Sequence, residues 1–134
     1  MMKFKNSYLY TIVLLFFICS KSSVYAQNSK NKKEEKSEWK QEGTACIYSK
    51  GLNGGKTASG ERLDMDALTA AHLKLPFGTK VKVTNVKNGK SVIVKITDRG
   101  PYSKKFIIDL TLAAAKKLGF SYSDGITKVR ITKV

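Results

Sequence analysis

Apolar, mostly β-branched residues alternate with polar ones along several stretches of this chain, and that alternation predicts strands because successive side chains on a strand point to opposite faces. Val81 and Val83 share one face of Lys80 to Val86, and Ser91 to Thr97 reads Ser-Val-Ile-Val-Lys-Ile-Thr; Asn88-Gly89 between the runs supplies a turn, so a hairpin is expected. Gly43 to Ser49 is a further strand candidate, and Lys128 to Val134 closes the chain with Val129 and Ile131 on one face. Two short helices are expected among the strands. One lies around Asp66 to Ala71; the other is capped by Asp109, places Leu110, Ala113, Ala114 and Leu118 on one face, and stops at Gly119. Short strands with small helical insertions predict a mainly β fold closed into a barrel, since closure removes exposed sheet edges. No internal repeat is evident.

The N-terminal pattern is different in kind. Lys3 and Lys5 precede an apolar run from Leu9 to Ile18, and Val24 and Ala26 are small residues before a cleavage point after Ala26. Residues 1–26 are therefore expected to be a signal peptide, too short in its apolar core to leave a stable membrane span, which places the mature chain in the periplasm or cell envelope. Lipidation at Cys19 is disfavoured, because Phe16-Phe17-Ile18 lacks the small residue such processing wants. Residues 27–42 turn polar, with Lys32-Lys33-Glu34-Glu35-Lys36 and only Trp39 as a large apolar side chain, and are expected to be a flexible linker. Residues 43–134 form the folded domain.

Composition narrows the picture further. Without Lys3, Lys5 and Lys21 the mature chain carries 22 basic and 10 acidic residues, a net +12. That excess suits a polyanionic partner such as a cell-wall polymer. Export, and the absence of any recognition motif, argue against nucleic acid. Removal of Cys19 leaves Cys46 alone, so no intrachain disulfide can form; within Thr44-Ala45-Cys46-Ile47-Tyr48 it is expected to be a buried small hydrophobe.

Candidate chemistry is sparse. Gly51, Gly54, Gly55 and Gly60, with Thr57 and Ser59 among them, lack the order of a phosphate-binding loop and are expected to form a mobile border to a substrate site. A single histidine with scattered acids is a poor metal set, so no metal or cofactor is expected. No Gly-x-Ser-x-Gly elbow is present. Glu61, His72 and Asp98 remain, the last in Asp98-Arg99-Gly100-Pro101, where a strand empties into a turn. Taken singly, each has an ordinary reading as a surface acid, a helix-end histidine or a turn former.

Together they have another. Residues 43 to 134 resemble the RlpA-like double-psi β-barrel domain of rare-lipoprotein-A-type septal lytic transglycosylases, distantly related to barwin and the expansin catalytic domain. The matching stretches are Thr57-Ala58-Ser59-Gly60-Glu61, Ala67-Leu68-Thr69-Ala70-Ala71-His72, Leu75-Pro76-Phe77-Gly78-Thr79, Val83-Thr84-Asn85, Asn88-Gly89, Asp98-Arg99-Gly100-Pro101 and Ile107-Ile108-Asp109-Leu110 followed by Ala113-Ala114, in the family's order. The chain departs from the family at Cys46-Ile47, where aromatic residues are common, and in Lys50 to Lys56, and no SPOR module is expected after the last strand.

The resemblance implies a six-stranded barrel and non-hydrolytic cleavage of peptidoglycan glycan strands to 1,6-anhydro-N-acetylmuramic acid ends. It implies Asp98 as catalytic acid/base, with His72 orienting it or the sugar and Glu61 in a supporting role. One acid can suffice, because the sugar's own C6 hydroxyl replaces water as nucleophile; an ordinary glycosidase needs two carboxylates. That acid must carry a proton when it meets the glycosidic oxygen, which calls for a partly apolar site. Arg99, Thr57, Ser59, Tyr48 and Tyr102 are the expected substrate-binding residues, the tyrosines by stacking on sugar faces. Asp109 is expected only to cap its helix. A monomer is expected, and the alternative function is a non-catalytic peptidoglycan-binding barrel.

Overall fold

The computed structural model describes residues 38–134, so the expected signal peptide, Cys19 and most of the expected linker lie outside the described residues. Six strands close on themselves: β1 (Lys40–Ile47), β2 (Thr69–Ala71), β3 (Lys80–Asn85), β4 (Ser91–Asp98), β5 (Ile108–Leu110) and β6 (Ile126–Lys133), with one helix, α1 (Leu112–Lys117), between β5 and β6. Around the barrel the order is β1-β5-β2-β4-β3-β6. β1 pairs parallel with β5, and β2 with β4; the other neighbours are antiparallel. This is the six-stranded, mainly β double-psi architecture expected.

The alternation seen in the sequence sets the inside of the barrel. Val81 faces Val94 and Val83 faces Val92 across β3 and β4, and Val83 faces Ile131 across β3 and β6. These residues, with Ile96, Ile108, Leu110 and Val129, are buried in one cluster. Removing such a side chain leaves a cavity, so Ile96→Ala would cost about 2–5 kcal/mol.

Three expected boundaries shift. β1 begins at Lys40, inside the expected linker, because Lys40 to Glu42 pair with Thr132 to Arg130 of β6, and Trp39 packs against the core. Asp66 to Ala71 is not a helix: Asp64 to Ala67 is a turn, closed by Ala67 N–H to Asp64 O at 3.1 Å, and Thr69–Ala71 is strand β2 between β4 and β5. Alanines suit both settings, and here cross-strand pairing overrides their helix propensity. The second helix begins later than expected, after Ile108–Leu110 has run as β5. Its cap is Thr111, whose Oγ1 accepts from Ala114 N–H and donates to Ala67 O at 2.6 Å.

The β3–β4 connection is longer than a two-residue turn for a visible reason. Asn85 and Asn88 both donate side-chain amides to Leu118 O, at 2.8 and 3.0 Å, and so tie the turn to the end of α1. Gly119 stands at φ +79°, and a Cβ there would meet Asn88 Nδ2 at 2.7 Å. Only glycine fits both demands.

Candidate active site

Asp98 is the last residue of β4, and a register irregularity aims it. β2 and β4 run in step through Thr69 with Lys95 and Ala70 with Ile96, then slip, so that Ala71 stands opposite Asp98. On its other side Ala71 pairs with Asp109 of β5. Two carboxylates thus flank one small, fully buried alanine, and two strand spacings put their Cα atoms about 10 Å apart. Tyr48, Leu63, Met65 and Ala71 form an apolar cluster here.

Donors from three elements hold the Asp98 carboxylate. Oδ1 accepts from Ala58 N–H at 2.8 Å and from Arg99 N–H at 2.9 Å, and Oδ2 accepts from Tyr48 O–H at 3.0 Å. Tyr48 is only 6 % exposed, so it cannot offer a ring face to a sugar as expected; its role is that of donor. Burial, then the neighbouring Asp98 charge, push the phenol's pKa well above its usual value. The glycine-rich segment supplies Ala58 and is anchored, not free. Gly54 N–H reaches Leu63 O, Leu63 N–H reaches Gly55 O, and Ser59 N–H reaches Thr97 O. Thr57 is buried and donates from Oγ1 to Glu61 O at 2.8 Å while sharing a hydrogen bond with Ser59 Oγ at 2.9 Å. These hydroxyls shape the loop that touches Asp98.

Neither Glu61 nor His72 reaches Asp98 with its side chain; His72 meets it through its backbone, and Glu61 bonds only to Thr57 and Ser59 of the loop and to Lys95. Glu61 is exposed and pairs with Lys95 Nζ at 3.0 Å. His72 donates its backbone N–H to Asp98 O at 3.1 Å. Its ring, however, is engaged elsewhere and only 3 % of the residue is exposed: Nδ1 accepts from Lys74 N–H and Leu75 N–H, both at 3.1 Å, so Nε2 carries the proton and donates to Gln41 Oε1 at 2.9 Å. Burial, reinforced by Arg99 and Lys74, lowers the imidazole's pKa and keeps it neutral.

Arg99 is also turned inward. Its Nη1 donates to His72 O at 3.2 Å and Leu75 O at 2.8 Å, and the guanidinium lies 3.9 Å from the centre of the Phe77 ring. It clamps the chain after β2, where a sugar contact was expected. Tyr102, by contrast, is 80 % exposed just past the turn and presents a free aromatic face.

Two groups at this site were missed in the sequence. Asp109 does not cap α1: Ile108 and Leu110 on either side point into the core, so Asp109 faces the other way, toward Asp98 and Gly100. Cys46, paired with Asp109 across β1 and β5, is half-buried and donates its thiol to Asp109 Oδ1 at 2.7 Å. Burial and this acidic neighbour push the Cys46 thiol up to about 12, which makes it a hydrogen-bond donor and a poor nucleophile. Burial also raises the Asp109 pKa, with Asp98 adding to the rise and the Cys46 hydrogen bond opposing it. The signal was present in the alternation of Ile108-Asp109-Leu110, but an acid before an alanine run also reads as a cap. Among the described residues no cluster of three or more His, Cys, Asp or Glu side chains is placed to hold a metal ion, and no helix is long and apolar enough to cross a membrane.

The chain is similar to known proteins in sequence and in fold. A Neisseria meningitidis serogroup A protein named endolytic peptidoglycan transglycosylase RlpA is 49 % identical over 102 residues, which is 76 % of this chain and 42 % of that protein. A Synechocystis protein named probable endolytic peptidoglycan transglycosylase RlpA is 51 % identical over 89 residues, 66 % of this chain and 27 % of the relative. This chain therefore spans less than half the length of these relatives. Among solved structures, the Streptomyces papain inhibitor superposes with a TM-score of 0.57 at 24 % identity, covering 72 % of this chain and 94 % of its own. The Clavibacter michiganensis expansin superposes at 0.56 with 24 % identity, over 72 % of this chain and 50 % of its own, a likeness of fold alone. The profile of the lytic transglycolase family matches residues 40–131, from the first residue of β1 to well within β6, and the chain belongs to that family.

Proposed function

We propose that this protein is exported to the cell envelope and cuts the glycan strands of peptidoglycan without water, leaving 1,6-anhydro-N-acetylmuramic acid ends. The observation that carries the reading is the Asp98 carboxylate, fixed at a strand end by donors to both oxygens in a chain about half identical to proteins named as peptidoglycan transglycosylases. A proton must reach the glycosidic oxygen and another must leave the C6 hydroxyl as it attacks C1; a held carboxylate is suited to such transfer. Asp98 is the acid/base group in this reading. His72 is a positioning residue: its backbone holds the Asp98 carbonyl and its neutral ring fixes the turn that follows. Glu61 supports the loop whose Ala58 amide touches Asp98. Tyr102 offers the sugar platform, with Ser59 at the edge of the same loop. The signal sequence, the net charge of +15 for the full chain and the relatives' names support a wall polymer as partner.

The test is digestion of purified sacculi followed by mass spectrometry of the soluble glycans. Wild type releases anhydro-ended products, and Asp98→Asn releases about 100-fold less or worse. If both proteins bind sacculi and neither yields anhydro ends, the domain is a binding barrel and the enzymatic reading is wrong.

A further inference from the structure

Outside the roles just assigned, the least ordinary group in the molecule is Asp109. It is a half-buried carboxylate on a barrel strand, aimed at the catalytic end of the site, and no structural task explains it. Thr111 caps the helix in its place. Asp109 is unpaired with any cation among the described residues, where the only ion pairs are Lys95 with Glu61 and Arg130 with Glu42.

The two carboxylates across Ala71 are held in opposite ways. Asp98 has both oxygens filled as acceptors, from Tyr48, Ala58 and Arg99. Asp109 has one oxygen filled, Oδ1, by the Cys46 thiol, while no donor among the described residues reaches Oδ2. Since no buried side-chain nitrogen or oxygen among them lacks a partner, Oδ2 is open to the site. The turn leaves room for it: Gly100 sits at φ +132°, and a Cβ there would lie 3.3 Å from Asp109 Oδ2. An oxygen that accepts from no neighbour and is not buried is free to carry and give a proton, while donors on both oxygens suit a carboxylate to the acceptor role.

We propose that Asp109 is a second catalytic residue, the proton donor to the glycosidic oxygen, and that Asp98 is the acceptor of the C6 hydroxyl proton. This rests on the transglycosylase reading above and divides its proton transfer between two groups. As the C1–O bond breaks, Asp109 Oδ2–H passes its proton to the departing 4-oxygen of the next sugar. The C6 oxygen forms its bond to C1, and its proton passes to Asp98. Nothing is added from solvent, and the resting state returns when Asp98 releases its proton and Asp109 regains one. The groups facing Asp109 are Cys46 of β1, Tyr48 just past its end and Asp98 of β4, all neutral or negative, and none can draw the proton off by positive charge. Burial and the Asp98 charge raise the Asp109 pKa, which keeps a donor available at higher pH than an ordinary aspartate would.

The experiment compares wild type, Asp109→Asn, Cys46→Ala and Asp98→Asn on sacculi across pH, together with carboxyl-carbon NMR titration of the free proteins. Asp109→Asn is expected to lose about 100-fold in kcat/KM while still binding sacculi, consistent with removal of a general acid. Cys46→Ala removes a hydrogen bond to the ionised form, so the alkaline limb of its rate profile moves to higher pH. In the titration the Asp109 midpoint lies above the usual aspartate value and falls in Asp98→Asn. An Asp109→Asn rate within about threefold of wild type, on folded protein, overturns the assignment, because a general acid is worth far more. So does an Asp109 midpoint unmoved by Asp98→Asn. Absence of anhydro ends from wild type itself would instead remove the reading on which the assignment rests.

Discussion

Asp98, Asp109 and His72 show how a side chain takes its chemistry from its surroundings. His72 is expected from the sequence to orient Asp98 or the sugar, and its ring is instead closed in on Gln41 and the amides of Lys74 and Leu75. Its lowered pKa has a consequence for stability. The unfolded imidazole takes up a proton near its ordinary value of about 6.5, whereas the folded ring resists it, so this contribution is present above that pH and is lost as pH falls below it. Urea midpoints are expected to drop between about pH 7.5 and 5.5 in wild type, and to drop less in His72→Gln, which has no such proton to gain. An equal drop in both proteins would place the sensitivity elsewhere. Asp109 works with the opposite sign, since its raised pKa favours folding where it is protonated.

At the scale of elements, the site depends on the two shortest strands, β2 and β5, of three residues each. The longer strands were legible because Val81 and Val83, or Val92, Val94 and Ile96, repeat the period often enough to be recognised. The short strands give no such repeat: Thr69-Ala70-Ala71 and Ile108-Asp109-Leu110 end before a period can show, and their alanines, aspartate and threonine carry helix signals. The slip between β2 and β4 that turns Asp98 toward Asp109 is a property of pairing, which no single stretch of sequence contains. Glu61, His72 and Asp98 were readable as a set through family resemblance, yet that His72 meets Asp98 by its backbone alone, and that Glu61 turns to Lys95, was not. Thr111 joins these elements to the helix, bonding both Ala114 N–H and Ala67 O. Thr111→Ala is expected to cost about 2 kcal/mol, combining a lost cap with an unpaired, partly buried carbonyl, and to lower Tm by roughly 10 °C. Calorimetry that finds no change would deny the cap this role.

For the whole molecule, barrel closure brings three distant parts of the chain to one end. Tyr48 comes from β1's exit, Ala58 from the glycine-rich loop, and Asp98 and Asp109 from strands on either side of β2. This lets 97 described residues hold a site without a disulfide, Cys46 being the only cysteine among them and a donor to Asp109. A site that turns a sugar's own hydroxyl into the nucleophile must finish its reaction without water, and that is the claim most open to direct measurement. Sacculi digested in water enriched in oxygen-18 and examined by mass spectrometry should yield anhydro-ended glycans free of the heavy isotope. New reducing ends carrying oxygen-18 would show hydrolysis instead, and would contradict the account.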